Sequence, residues 1–211
     1  MNAELNAAET RRRGRPRSAS CHQAAVQATT QLLSERAYGE VTMEAIAQRA
    51  GVSKQTLYKW WPSKSKLVIE AYAARLAETV PIHDTGDVRM DLTALMCDAA
   101  RAFRRSELGG VMAGLISSAQ ADDELAEEFR EAIVLVRRRK IAGVIERSIA
   151  QGQLPAGTDA EVLMDLLFGA LWYRLLMRHA PITEAFARNL VAQALGSPST
   201  PSAARKPRSR A

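Results

Sequence analysis

TMEAIAQRAGVSKQTLYKWWPSKSKL, residues 42–67, is the stretch whose reading decides the fold. Two short helices are legible in it. Thr42 precedes MEAIAQRA as an N-cap and Gly51 stops that helix, while Ser53 precedes KQTLYKWW as the next N-cap. Pro62 ends the second helix, because proline disfavours helical geometry in the residue before it. Ser63 then caps a further helix running from Lys64 to about Thr79. Two short helices joined by Ala-Gly-Val have the layout of a helix-turn-helix, over residues 42–61, whose second helix enters the major groove of DNA. At about 100° per residue, Leu57 and Trp61 fall on one side of that second helix, in a small core with Ile46, Ala47 and Val52. Gln55 and Lys59 fall on the opposite side, flanked by Lys54 with Tyr58 and by Thr56 with Trp60. The adjacent tryptophans are therefore expected to divide, Trp61 inside and Trp60 outside.

The outward face suits DNA. Lysine donates to guanine edges or phosphates, glutamine pairs bidentately with adenine, and threonine and tyrosine hydroxyls donate to phosphate oxygens. The amides that follow Ser53 add partial positive charge. An ordinary solvated face would account for the lysines but not for an outward Trp60 beside Tyr58. Residues 42–68 carry five basic side chains against one acidic, Glu44. The net charge of +6 is concentrated at the ends, in RRRGRPR (11–17) and RKPRSR (205–210), because residues 18–204 hold 20 basic and 21 acidic residues. Residues 1–18 and 197–211 are expected to be disordered basic tails; a polyanion is the expected partner of the first, with a solubilising role as its alternative, whereas the second is read rather as a solubilising tail. The Gly-Arg-Pro core of the first, with Arg15 and Arg17, resembles the hooks that read A·T-rich minor grooves, where the negative potential attracts arginine.

Elsewhere the apolar residues recur at helical spacing and nowhere alternate with period two, so the chain is read as all-α. A first helix is expected from Ser20 to Ala37, with Ala25, Ala28, Leu32 and Leu33 as its stripe. Pro81–Asp87 reads as a linker between a unit at 19–80 and a larger one at 88–196. In the larger unit, helices are predicted over 88–105, 109–120, 123–151, 159–179 and 183–195. Thr158 to Glu161 is taken as a capping box opening the fourth of these. That helix is apolar around more than one face and must be covered on two sides. The last one offers Phe186, Leu190, Val191, Ala194 and Leu195 as a second stripe. A homodimer joined through both helices accounts for them, with a purely intramolecular core as the alternative. The runs Asp122–Glu131 and Arg137–Lys140 are read as mostly solvated helix surface, metal or paired-carboxylate chemistry being the lesser alternative for the first and anion recognition for the second.

Several function classes find no support. The longest apolar run, residues 162–177, is interrupted by Asp165 and Arg174 and is shorter than the roughly 20 residues a bilayer span requires. The start MNAELNAAET has no apolar run behind a basic one, so a cytoplasmic location without membrane association is expected. Cys21 and Cys97 form no disulfide or zinc pattern, and His22, His83 and His179 lie in separate segments. No catalytic site, metal site or cofactor is expected. An architectural DNA-binding protein using its basic tails without sequence preference is the competing reading, but it leaves the large helical body without a role.

The run from Thr42 to Leu67 resembles the DNA-binding signature of the TetR family of bacterial transcription regulators, a likeness extending over about residues 19–68. The resemblance implies an all-α fold: an N-terminal three-helix DNA-binding domain, followed by a larger helical domain for ligand binding and dimerisation. It implies a repressor that leaves a near-palindromic double-stranded operator when a small-molecule effector binds. By the same resemblance Thr42, Ser53, Tyr58 and Lys64 would contact phosphates, while Lys54, Gln55, Thr56 and Lys59 would face bases or the nearby backbone. Trp61 would be the core aromatic. Gln55 stands where the family often has glycine, and Trp60 where it often has histidine, so the operator sequence does not carry over. Phe103, Met112, Leu115, Phe129 and Trp172 are the candidates for the wall of an effector pocket, ordinary core packing being their other reading.

Overall fold

The structure is a computed structural model that describes residues 15–105 and 108–196. Its N-terminal part is five short pieces: α1 (Arg15–Glu35), a 3₁₀ turn (Tyr38–Glu40), α2 (Met43–Ala50), α3 (Lys54–Trp60) and α4 (Lys64–Thr79). Then come α5 (Val88–Arg105), α6 (Leu108–Ala119) and α7 (Asp123–Phe129), which passes through a π-helical segment (Arg130–Leu135) into α8 (Val136–Ala150). The last elements are α9 (Ala160–Met177) and α10 (Glu184–Ala194). Among the described residues there is no strand, and no helix is long and apolar enough to cross a membrane.

The corner between α2 and α3 follows from one residue. Gly51 takes the left-handed conformation, φ 66° and ψ 31°. There its N–H donates to the Gln48 carbonyl at 3.3 Å, and the Val52 N–H donates to the Ala47 carbonyl at 3.0 Å. This pair is the Schellman arrangement, which satisfies the last carbonyls of α2 and turns the chain. Ser53 Oγ next accepts the Thr56 N–H at 3.1 Å and starts α3. Trp61 lies just beyond α3 in an extended conformation, its N–H still returned to the Leu57 carbonyl at 2.8 Å.

Ala25 and Leu32 of α1, Ile46 of α2, Leu57 of α3 and Leu67 of α4 are buried together, and α4 carries this core onward through Tyr72 and Leu76 into the C-terminal helices. Asp91 fixes the linker before α5: its buried carboxylate accepts the Thr85 N–H at 2.9 Å and the Thr85 hydroxyl at 2.7 Å, so its charge is satisfied.

Three local expectations are corrected. α1 begins at Arg15, not Ser20, because Pro16 falls in a first turn where its missing N–H removes no helical bond. Arg15 and Arg17 therefore sit in the first turn of α1 rather than in an arm ahead of it. Residues 1–14 of that arm, and the tail 197–211, lie outside the described residues. α9 is capped by Asp159, not Thr158. Its carboxylate reaches the N–H groups of Glu161 and Val162 at 2.9 and 3.1 Å, and a charge there also suits the helix dipole. The stripe of α10 turns inward, with Ala187 and Val191 buried and the helix packed on α5 of the same chain. By contrast α9 buries Leu163, Met164, Leu167 and Leu171 but leaves Val162, Leu166, Tyr173 and Met177 more than half exposed, at 53–60%.

The Gly51 corner gives a paired prediction. Gly51→Ala meets no neighbouring atom but must adopt a positive φ, and should cost about 1 kcal/mol. Gly110→Ala, in open space on α6, should stabilise by about 0.5–1 kcal/mol. Thermal melts of the two variants should move in opposite directions.

Candidate nucleic-acid interface and a buried cavity

α3 is held from its inner side by Leu57 and Trp61, 1% and 4% exposed, and this orients the opposite side outward. Lys54, Gln55, Tyr58 and Lys59 are exposed there, and Thr56 is half-buried with its hydroxyl on Ser53 Oγ at 2.8 Å. Thr42 caps α2 by accepting the Ala45 N–H at 3.1 Å, and its hydroxyl also bonds the Glu44 carboxylate.

The two tryptophans do divide, but not independently. Trp61 is buried, and its indole N–H donates to Glu70 Oε2 of α4 at 2.7 Å. Glu70 Oε1 lies 3.0 Å from His22 Nε2 of α1, and the His22 ring lies 4.7 Å from that of Trp61. Trp60 is 45% exposed and packs one edge on the same His22 ring, centroids 5.1 Å apart. His22 and Glu70 thus support the aromatic end of the interface. The sequence carries one signal for this, since a buried indole N–H requires an acceptor, but nothing in it identifies Glu70 as that acceptor.

Two of the interface lysines are already engaged. The Lys54 ammonium pairs with the Glu44 carboxylate, and the hydrogen bond holds that carboxyl below its usual range. Lys64 is half-buried: its Nζ donates to the Tyr38 carbonyl at 3.1 Å and sits 4.1 Å from the centre of the Tyr38 ring. Burial pushes its ammonium pKa down. In this conformation Lys64 fastens the 3₁₀ turn to the start of α4 rather than extending into solvent.

The N-terminal unit meets the rest of the chain beside that turn. Lys66 Nζ of α4 lies 3.3 Å from Glu128 Oε1 of α7. The Glu128 oxygens are buried and make no hydrogen bond, so the pair is held by charge rather than by bond geometry. Burial first, then the carboxylates of Asp122 and Glu128, raise the Tyr38 phenol above its ordinary pKa.

Further along α4 is a cavity of about 220 Å³. Leu76 and Val80 of α4 form one side, and Phe103, Met112, Phe168 and Trp172 come from α5, α6 and α9. Of the residues named from the sequence, Phe103, Met112 and Trp172 are on the wall of this cavity. Leu115 and Phe129 are not: both are buried in the core, away from the lining. The π segment contributes Ile133 and Val134, and α8 contributes Arg137 and Arg138. The reading of Arg137–Lys140 as mostly solvated holds for Arg139 and Lys140, which are exposed, and fails for the first two. Arg137 donates to the Val80 carbonyl at 2.9 Å, and Arg138 pairs with Glu161 and Asp165.

Residues 25–71 match the tetR family of bacterial regulatory proteins, and residues 82–194 match the tetracyclin repressor-like C-terminal domain. The chain belongs to the TetR family. It is 37% identical over 183 residues, 87% of this chain and 92% of the other, to the uncharacterized HTH-type transcriptional regulator YdeS of Bacillus subtilis. It is 27% identical to the DNA-binding transcriptional repressor TetR of Mycobacteroides abscessus, covering 85% of this chain and 92% of that one. The crystal structure of the TetR family transcription regulator SCO0332 superposes with a TM-score of 0.76 at 35% identity, covering 83% of this chain and 97% of that chain. As a TetR-family member the chain is a DNA-binding transcriptional regulator, and α2 and α3 are its helix-turn-helix.

Because the Glu44 carboxylate neutralises the exposed Lys54 ammonium, Glu44→Gln should tighten DNA binding about fivefold at low salt, with a smaller gain at high salt. Fluorescence anisotropy across a salt series measures this, and an unchanged affinity would show that Lys54 does not approach the DNA.

Proposed function

We propose that this regulator represses transcription by occupying its operator as a homodimer, and that a small molecule bound in the cavity releases it. The observation that carries the dimer is the solvent face of α9, where Val162, Leu166, Tyr173 and Met177 form an apolar stripe along the full helix. A second copy of α9 supplies the cover such a stripe requires, with α10 alongside. Two-fold symmetry then calls for a near-palindromic operator with half-sites about one helical turn (roughly 34 Å) apart, or a multiple of it. Residues 19–80 act as the DNA-binding unit and 88–196 as the effector and dimerisation unit. In the first, Lys54, Gln55 and Lys59 face the bases, and Thr42, Ser53, Thr56, Tyr58 and Trp60 face the backbone. Lys64 reaches phosphate only on leaving Tyr38.

Support for effector release comes from α4, which lines the cavity through Leu76 and Val80 and carries Lys64 and Lys66 at its other end. A ligand shifts the operator equilibrium only as far as it binds the two states differently, and a helix shared by both sites gives such a difference a route.

Leu166→Glu tests the dimer without touching the buried core. It should yield a folded monomer by sedimentation and circular dichroism, with operator binding lost; a dimer that still binds would place the interface elsewhere. Arg15→Gln with Arg17→Gln tests whether the basic start of α1 meets DNA: affinity should fall and the slope of log K against log salt should shrink by up to about two. Binding that excess random DNA competes away entirely would point instead to architectural binding.

A further inference from the structure

The cavity wall is apolar except for Arg137, Arg138 and Asp165. Leu76, Phe103, Phe168 and Trp172 present hydrocarbon and aromatic surface, and Arg137 enters among them. A guanidinium has five N–H donors. One donates to the Val80 carbonyl at 2.9 Å, and no carboxylate among the described residues pairs with the group. Asp165, the one carboxylate on the same wall among the described residues, is taken by Arg138, which also holds Glu161. The neighbouring Tyr72 supplies no counter-charge at neutral pH, since burial raises its phenol well above the ordinary range. A cation inside an apolar site is costly unless it is paired. Burial lowers the pKa of Arg137, but an arginine keeps its proton at neutral pH.

We propose that the cavity takes a small organic acid, its apolar body packed among Phe103, Phe168 and Trp172 and its single carboxylate seated on the Arg137 guanidinium. The inference rests on reading the cavity as the effector site, and adds the chemical class of the ligand. A carboxylate completes the fork that Val80 leaves open. A neutral ligand leaves the charge uncompensated, and an amine adds a second one. The volume of about 220 Å³ lies below the roughly 300–1,000 Å³ of pockets for drug-sized molecules, so the acid is small. Val80 is the C-cap of α4, so the group that receives the anion is also the one that holds the end of the helix leading to the DNA.

Three probes sharing one body test this: 3-phenylpropionate, 3-phenylpropanol and 3-phenylpropylamine, titrated calorimetrically into the full-length protein at about neutral pH. The acid should bind about 30-fold more tightly than the alcohol, and the amine should not bind. Arg137→Gln should bring acid and alcohol to similar affinities, with circular dichroism showing that the variant is folded. Arg137→Lys, with charge but no fork, should fall between the two. Phe168→Ala should weaken acid and alcohol alike. The inference is overturned if the alcohol matches the acid in the wild-type protein, or if Arg137→Gln preserves the acid's advantage. If the alcohol binds and releases operator as well as the acid does, the effector site stands and the acid class falls. If no probe binds or alters DNA affinity, the effector reading falls with it.

Discussion

A helix of seven residues has almost no stability of its own, because nucleation consumes most of what so few hydrogen bonds return. α3 exists because Leu57 and Trp61 are buried against α1, α2 and α4, and everything the regulator presents to DNA depends on that burial. Two anchors four residues apart leave the helix no freedom to roll. Gly51 and Ser53 fix where it starts, and the Trp61 indole bond to Glu70 fixes where it ends. The outward placement of Gln55 and Lys59 is a consequence of what is buried on the other side. The chemistry of the face is then free to vary, as it does here with Gln55 and Trp60.

α4 extends this constraint to the rest of the molecule. Its first turn is joined to the 3₁₀ turn by Lys64 and to α7 by the Lys66–Glu128 ion pair, and its last turn forms cavity wall and receives Arg137 at Val80. The Glu128 carboxylate is buried with one charge partner and no hydrogen bond, an expensive arrangement that is sensitive to small displacements. Glu128 and Arg137 both belong to the continuous helical run α7–π–α8. A shift of that run relative to α4 therefore acts at both junctions together, and no separate chain of contacts between them is required.

How much of this the sequence discloses depends on the range of the interaction. Thr42, Gly51, Ser53 and Ser63 act within a few residues of themselves, and their elements lie where local patterning puts them, as do Leu57 and Trp61 through their helical spacing. What patterning cannot supply is the partner of a charge. Lys54 with Glu44, Lys64 with the Tyr38 carbonyl and Glu70 with both His22 and Trp61 are settled by how helices pack. Each of them changes what an interface residue is able to do. Leu115 and Phe129 differ from Phe103 and Met112 only in which side of their helix meets the cavity, a distinction invisible to a reading that finds all four apolar and inward.

Arg137 is the most instructive case, because its charge conceals its place in the helical period. Phe129, Ile133, Arg137 and Ile141 recur every four residues. In an unbroken α-helix the ends of that series would drift apart by about 120°, so the series could not share one face. The π segment takes up more residues per turn than an α-helix and cancels part of the drift. Phe129, Ile133 and Ile141 are accordingly all buried, and Arg137 is carried inward between them. A run of four basic residues in the sequence is naturally read as solvated surface, and for Arg139 and Lys140 that is correct. Arg137 lies four residues from both Ile133 and Ile141, and this spacing turns it toward the cavity. What brings a cation to the cavity wall is therefore its position in an apolar stripe rather than the basic run it belongs to.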